Sequence, residues 1–323
     1  HRMNVELMPP LMFGGLVIFL LFGFPVAFSL AAVGLFFGFL GVLIFSFTLP
    51  MTRISVAELA PLFISNGRAV VAGTLAIAVL AFARQRFPRG RQWLRLAVVA
   101  GGVIFGFPLF TSFALQTVPS AHGAVVIGLL PAATAVAAVI RGKERPSLTF
   151  WLASGAGVLS VVAFVAIAGG GLGGLRPGDL LLLGAVVTAA IGYAEGALLA
   201  REIGSWQTIC WALVLALPVT VTITAVLVAP GWPQAGAPAW IGFGYMSLFS
   251  MFLGFFAWYR GLAIGPIARV SQIQLVQPVL TIVWSALLVG EALDWTVWVG
   301  AVVVILFAAL AVRARVRAAR AAA

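Results

Sequence analysis

Charge is what this sequence lacks most: 8% of its residues are Asp, Glu, Lys or Arg. A soluble domain carries roughly 25%. Too few polar groups are present to cover a water-facing surface, so the bilayer is the solvent. Acids are especially few, eight in 323 residues, and no two sit together inside an apolar run. That excludes a carboxylate metal site and paired acid–base chemistry. The single cysteine, Cys210, excludes an intrachain disulfide and a thiolate cluster, and its apolar setting reads as a packed thiol. Only two histidines occur, His1 and His122. No Gly-rich loop ends in Lys-Ser/Thr, so there is no ATP drive. No enzyme constellation, metal or cofactor is expected. Strand-period alternation is also missing, which excludes a barrel and leaves helices.

What is present is apolar: 63% of residues are hydrophobic and the mean hydropathy is +1.16. A helix needs about 20 apolar residues to cross a bilayer. Ten such runs follow the N-terminal region, at 34–52, 61–83, 94–117, 120–140, 148–168, 180–200, 207–228, 239–259, 269–290 and 295–312. Short connections rich in Gly and Pro separate them, such as Gly169–Gly174 and Pro230-Gly231-Trp232-Pro233.

The net charge is +11, and 18 of the 19 cations are Arg. Their placement excludes a nucleic-acid surface. Arg84, Arg86, Arg89, Arg91 and Arg95 cluster at the second loop, Arg141, Lys143 and Arg145 at the fourth, and Arg313, Arg315, Arg317 and Arg320 in the tail. With Arg201, Arg260 and Arg269 they lie on one side of the predicted bundle, while the other side's loops hold Arg53 and Arg176. The asymmetry puts the even loops and the C-terminus in the cytoplasm of a multi-pass inner-membrane protein. Trp93, Trp151, Trp206, Trp240 and Trp295 fall near span ends, where an aromatic belt is expected.

The first residues need separate treatment. A start at His1-Arg2 rather than Met reads as a non-native leader and stays outside the fold argument. No charge occurs from Leu7 to Thr52. That length, about 69 Å as one helix, exceeds a single span. Either an extra span precedes the first, or one helix breaks at Gly23-Phe24-Pro25 and runs partly along the surface. A cleaved signal peptide is not expected, because the apolar run is too long and lacks a basic start.

An internal repeat is visible. Pro119, Pro131 and Glu144 recur 147 residues later as Pro266, Pro278 and Glu291. Ala121 and Ala268 share that offset, and Arg53 and Arg201 end the first and sixth runs. The unit holds five spans, an odd number, so the two copies have opposite orientations. Inverted repeats build alternating-access transporters with a midplane site. The predicted architecture is an all-α integral membrane protein of ten transmembrane helices in two inverted five-helix repeats, with an extra N-terminal apolar segment. Its parts are 1–33, 34–170, and 171–323 with the basic tail.

The segments "SAHGAVVIGLLPAATAVAAVIRGKE" and "GPIARVSQIQLVQPVLTIVWSALLVGE" resemble the EamA family of the drug/metabolite transporter superfamily over about residues 34–312. Arg68, in "SNGRAVVAG", is similar to an Arg that recurs there. Within the family the chain looks most like the YddG type, which implies export of aromatic amino acids and related metabolites. Residues 8–41 instead resemble the first helix of the large membrane subunit of TRAP transporters, which implies a fusion or a foreign first span.

Several residues are candidates for a substrate site. Ser271, Gln274, Gln277, Thr281 and Ser285 recur on one face of the ninth span. The face reads as a cavity wall or as interhelical glue. Ser112 and Gln116 lie one turn apart in the third span, after Phe105, Phe107, Pro108 and Phe110. Pro108 frees a backbone carbonyl, giving either a substrate contact or a simple kink. Pro131 and Pro278 read as hinges. Asn66 and Arg68 sit early in the second span, where Arg68 either pairs a substrate carboxylate or bonds helix-end carbonyls. Glu195 is the acid set deepest in an apolar run. It reads as a proton-coupling or amine-binding group, or as a side chain snorkelling to pair with a loop Arg. Tyr193, Tyr245 and Trp258 are candidate cavity aromatics, and His122 reads as packed or interfacial.

The function predicted is secondary export of small amphipathic metabolites, amino acids among them, by a monomer or homodimer. A phosphorylated-substrate antiporter calls for more cations than Arg68 alone. A lipid-processing enzyme calls for a nucleophile or metal cluster that is absent from the sequence. A non-transporting subunit or scaffold is the alternative, suggested by the TRAP-like start.

Overall fold

The computed structural model describes residues 26–142, 147–168, 176–264 and 273–321. Every regular element among them is helical, in ten stretches. Helix α1 comprises Val26–Ser46 and Thr48–Val56, α2 is Pro61–Phe82, α3 is Arg91–Ala114, and α4 comprises Ser120–Ile127 and Leu130–Gly142. Then come α5 (Leu148–Ala168), α6 (Pro177–Ile203), α7 (Ser205–Val228), α8 (Ala237–Ile264), α9 (Gln274–Val289) and α10 (Trp295–Ala321). Seven of these, α1–α4 and α6–α8, are long and apolar enough to cross a membrane, and the other three carry shorter apolar stretches. The TRAP-like residues 8–25, the Gly23-Phe24-Pro25 break, Lys143, Glu144, Arg145, the glycine run at 169–174, Pro266, Ala268, Arg269 and Ser271 lie outside the described residues.

Helix ends do not coincide with apolar ends. The run at 295–312 is the apolar part of a helix that reaches Ala321, because Ala and Arg, which fill the tail, are strong helix formers. Arg53, expected in a loop, lies in the last turn of α1 and donates from Nη1 to the carbonyls of Leu115 and Gln116. Glycines with positive φ stand at two of the helix ends: Gly204 (φ 103°) separates α6 from α7, and Gly290 (φ 72°) closes α9.

Small residues are prominent on the inward faces, and large apolar side chains cover the outward ones. Ala69, Ala72 and Ala76 of α2 and Ala185 and Ala189 of α6 are buried, while Leu180, Val187 and Ile191 of α6 are exposed. In a bilayer the outward side chains meet lipid at no cost, and small inward ones let backbones approach. A Cβ on Gly102 of α3 would stand 2.8 Å from the Cα of Gly192 of α6. One on Gly261 of α8 would stand 2.7 Å from the Gly38 nitrogen of α1. Neither contact tolerates a side chain.

The packing respects the sequence repeat. Helix α2 packs on α7, α5 on α10 and α4 on α9, while α1 packs on α8 just as α6 packs on α3. Each is a contact between the first five helices and the last five. Irregularities repeat as well. π-helical turns interrupt α3 at Ala100–Gly106 and α8 at Met246–Leu253. Helix α4 breaks at Gly128-Leu129, and α9 begins with a 3-10 turn at Gln274–Val276, 146–147 residues further on. Pro108, Pro131 and Pro278 each occupy the first or second residue of the α-helix that resumes after an irregularity. A proline removes the N–H that would bond back into the preceding turn, so it fits a break better than a regular helix. The breaks of α4 and α9 meet, since a Cβ on Gly128 would stand 3.4 Å from Pro278 Cγ.

Candidate functional site

The centre of the bundle holds a small, mostly apolar cavity with a few polar groups, bounded by α1, α2, α3, α4, α6, α8 and α9. Its free volume is about 20 Å³, room for a single water. The polar lining is Arg68, Thr48, Ser250 and Gln277. Aromatic lining comes from Phe45, Phe107, Tyr193 and Phe255. No acid lines it among the described residues.

Arg68 dominates this site. It is 2% exposed, and its Nε and Nη1 have no hydrogen-bond partner. A guanidinium has five N–H donors and does not lose its charge, so burying it unpaired costs several kcal/mol, roughly. Helix α2 places it there by setting Gly67 against the Phe243 ring, which a Cβ would approach to 3.2 Å. The neighbouring Asn66 turns back on its own helix, donating from Nδ2 to the Leu62 carbonyl at 2.9 Å. It is absent from the cavity lining. Thr48 and Ser250 bond each other at 2.8 Å.

The polar stripe of α9 divides in two. All four described members are buried. Thr281 Oγ1 donates to the Ser46 carbonyl at 2.9 Å, and Ser285 Oγ lies 2.9 Å from Ser120 Oγ. Beside them Trp284 stacks on Phe47 with centroids 4.4 Å apart. Those bonds tie the C-terminal half of α9 to α1 and α4. Gln274 has neither amide atom paired, and Gln277 Oε1 is also unpartnered. Of the two, Gln277 lines the cavity.

The third-span candidates separate as well. Ser112 is fully buried with an unpartnered Oγ, but is not among the lining residues. The Gln116 side chain is exposed at the helix end. Phe110 packs on Gly184 of α6, and Phe107 takes the cavity position instead. Among the aromatics, Tyr193 lines the cavity and packs on Phe45, Phe255 and Trp258 at centroid distances of 6.4, 6.0 and 5.8 Å. Tyr245 lies apart, donating its hydroxyl to the Ile44 carbonyl at 2.9 Å.

Polar clasps close both ends of the bundle. At the arginine-rich end Glu195 is bound by two arginines, Arg95 of α3 and Arg141 of α4, the latter at 2.7 Å from Nε. Arg95 also reaches Glu202. Glu195 is therefore a paired group outside the cavity lining. At the opposite end Glu291 sits on the N-terminus of α4. Its Oε1 accepts from the Ser120 N–H at 2.7 Å and its Oε2 from the Ala121 N–H at 2.8 Å. A carboxylate is favoured at a helix N-terminus, where the dipole is positive. His122 Nε2 meets Asp179 Oδ1 at 2.8 Å, and Glu58 accepts from the Gly236 N–H at 2.5 Å. Each of these contacts joins the first five helices to the last five.

Sequence reasoning missed several of these residues. Arg95 and Arg141 count there only as topology charges, and Glu291 only as a repeat anchor. Arg95 carries a signal, since it lies inside an apolar run rather than in the loop. Thr48 and Ser250 carry none, because isolated hydroxyl residues are common in membrane helices.

A multi-helix membrane bundle with a partly polar cavity at its centre has the build of a membrane transporter. The chain belongs to the EamA-like transporter family, which matches it twice, over residues 32–166 and 176–313. It is 48% identical over 276 residues to the uncharacterized transporter YdeK of Bacillus subtilis (strain 168), covering 85% of this chain and 96% of that one. It is 27% identical over 267 residues to the uncharacterized inner membrane transporter YedA of Escherichia coli (strain K12), covering 80% and 84%. A solved crystal structure matches the fold with a TM-score of 0.62 at 18% identity, covering 87% of this chain and 96% of that chain.

Proposed function

We propose that this protein is a secondary transporter of the inner membrane, exporting small amphipathic metabolites that carry a carboxylate, amino acids with aromatic side chains included. The observation that carries the reading is Arg68, a buried guanidinium with unpaired donors at a cavity where the two repeats meet. A carboxylate matches its planar fork with two parallel charge-assisted bonds. Gln277 Oε1, unpartnered at the same cavity, accepts from an ammonium group. The rings of Phe45, Tyr193 and Phe255 take an apolar or aromatic side chain.

In this reading all ten helices cross the membrane as two inverted repeats, 34–170 and 171–323, with the arginine-rich end and the C-terminus in the cytoplasm. The contacts between equivalent helices and the recurrence of irregularities support it. In this reading the contacts at both ends and a central cavity of only about 20 Å³ are those of an occluded conformation. Alternating access then opens one clasp at a time. Releasing Glu195 from Arg95 and Arg141 admits substrate from the cytoplasm. Releasing Glu291 from the start of α4 discharges it on the other side. The proline-flanked breaks of α3, α4 and α9 are the places where the helices bend.

Flux of labelled phenylalanine and tryptophan in proteoliposomes tests the reading. The wild type is expected to show saturable flux, with Arg68→Gln losing it and Gln277→Ala reducing it. Absence of flux with every carboxylate-bearing amphipath in folded wild-type protein contradicts it.

A further inference from the structure

A second, larger pocket lies at the arginine-rich end. Its volume is about 400 Å³, and it opens between the loop that joins α2 to α3 and the junction of α6 with α7. Three arginines line it, Arg84, Arg86 and Arg89, together with Gln85, Gln92 and Gln207. No acid lines it among the described residues, and none of the three arginines has an ion-pair partner there.

The pocket is held in shape. Arg84 takes a left-handed conformation, φ 47°, which folds the loop back after α2. The Arg89 N–H donates to Gln92 Oε1 at 2.8 Å. Gln207 of α7 bonds Gln85 of the loop at 3.4 Å. Beneath them Phe87 lies against Trp211 with centroids 5.0 Å apart, and Trp93 lies 5.9 Å from the same indole. An exposed Phe87 beside a tryptophan cluster marks the depth where chain meets headgroup.

We propose that this pocket binds the phosphate of an anionic membrane lipid, with Arg84, Arg86 and Arg89 on the phosphate and Phe87 and Trp211 along the upper acyl chain. Arg84, Arg86 and Arg89 all border one concavity that Phe87 and Trp211 also line, and basic pockets between helices take anionic headgroups. A bilayer lipid is the favoured source of that phosphate because the pocket joins a phosphate-binding rim to an apolar ring wall. The site needs only that the chain spans a membrane, so it stands apart from the transport reading. Its walls come from both sequence halves and adjoin the clasp: Gln92 precedes Arg95 by one turn, and Ile203 follows Glu202.

Native mass spectrometry of the full chain in detergent tests the site, with phosphatidylglycerol, phosphatidylcholine and inorganic phosphate as probes. One phosphatidylglycerol is expected to bind saturably, about tenfold or more weaker in Arg86→Gln/Arg89→Gln and unchanged in Arg91→Gln, which stands at the start of α3 outside the pocket lining. Unaltered melting without lipid verifies that the variants fold, and Arg86→Lys/Arg89→Lys is expected to retain part of the affinity. Equal binding of phosphatidylcholine, or equal loss in Arg91→Gln, overturns the proposal. Displacement of phosphatidylglycerol by millimolar inorganic phosphate, with no gain from acyl chains, overturns the lipid assignment in favour of a soluble phosphate.

Discussion

At the two ends of the bundle every acid described in a cross-half contact has partners. Glu195 has two arginines, Asp179 has His122 and the Arg176 N–H, and Glu291 has two N–H groups and a hydroxyl. At the central cavity Thr48 and Ser250 satisfy each other, but Arg68 and Gln277 are buried with polar atoms that meet no partner. Polar groups at the ends raise stability because they are satisfied. Unsatisfied ones at the cavity lower it, and a buried polar group left without a partner calls for an explanation. In the proposed function that explanation is a ligand.

The largest break in that comparison comes from Arg68→Met. It is expected to abolish flux, by roughly 10–100-fold or more for a lost charge-assisted bidentate contact. It is also expected to raise stability by about 1–3 kcal/mol, because an unpaired buried charge gives way to an apolar chain of similar length. A melting curve beside the flux assay reads both. Glu195→Gln has the opposite sign. It takes one of two carboxylates from Arg95, which keeps Glu202, and the carboxylate from Arg141, and it costs about 1–2 kcal/mol, less than a fully buried pair because Arg95 and Arg141 are 17% and 50% exposed. Chemical denaturation in detergent measures it. At the other end Glu291→Gln costs about 1–2 kcal/mol, since the amide keeps one acceptor for the α4 N-terminus. The smallest effect divides a single helix face. Thr281→Val costs about 1 kcal/mol or less and leaves flux unchanged, whereas Gln277→Ala lowers flux with little change in melting.

Much of the bundle can be read from the sequence because hydrophobic runs are governed by one local quantity, the cost of exposing polar groups to lipid. The inward face of α9 follows from the spacing of Gln274, Gln277, Thr281 and Ser285 for the same reason. Spacing does not reveal which of these four finds a partner, because that depends on Ser46 and Ser120, far away in the chain. That Glu195 pairs with an arginine is one of the readings its place in the sequence allows, but which arginine is not legible. Its two partners lie 54 and 100 residues earlier, and only the folded topology brings α3, α4 and α6 together at one end. Apart from Arg95, set inside an apolar run, the arginines near the span ends look alike in sequence. Arg95 and Arg141 close a clasp, whereas Arg84, Arg86 and Arg89 line a pocket.

The central claim is that Arg68 receives a carboxylate. The direct measurement is ligand-induced thermal stabilisation of the purified protein by phenylalanine and by phenethylamine, which differs in lacking the carboxylate. The account predicts that phenylalanine raises the melting temperature of wild type, that phenethylamine does not, and that Arg68→Gln responds to neither. Equal stabilisation of wild type and Arg68→Gln by phenylalanine would contradict it.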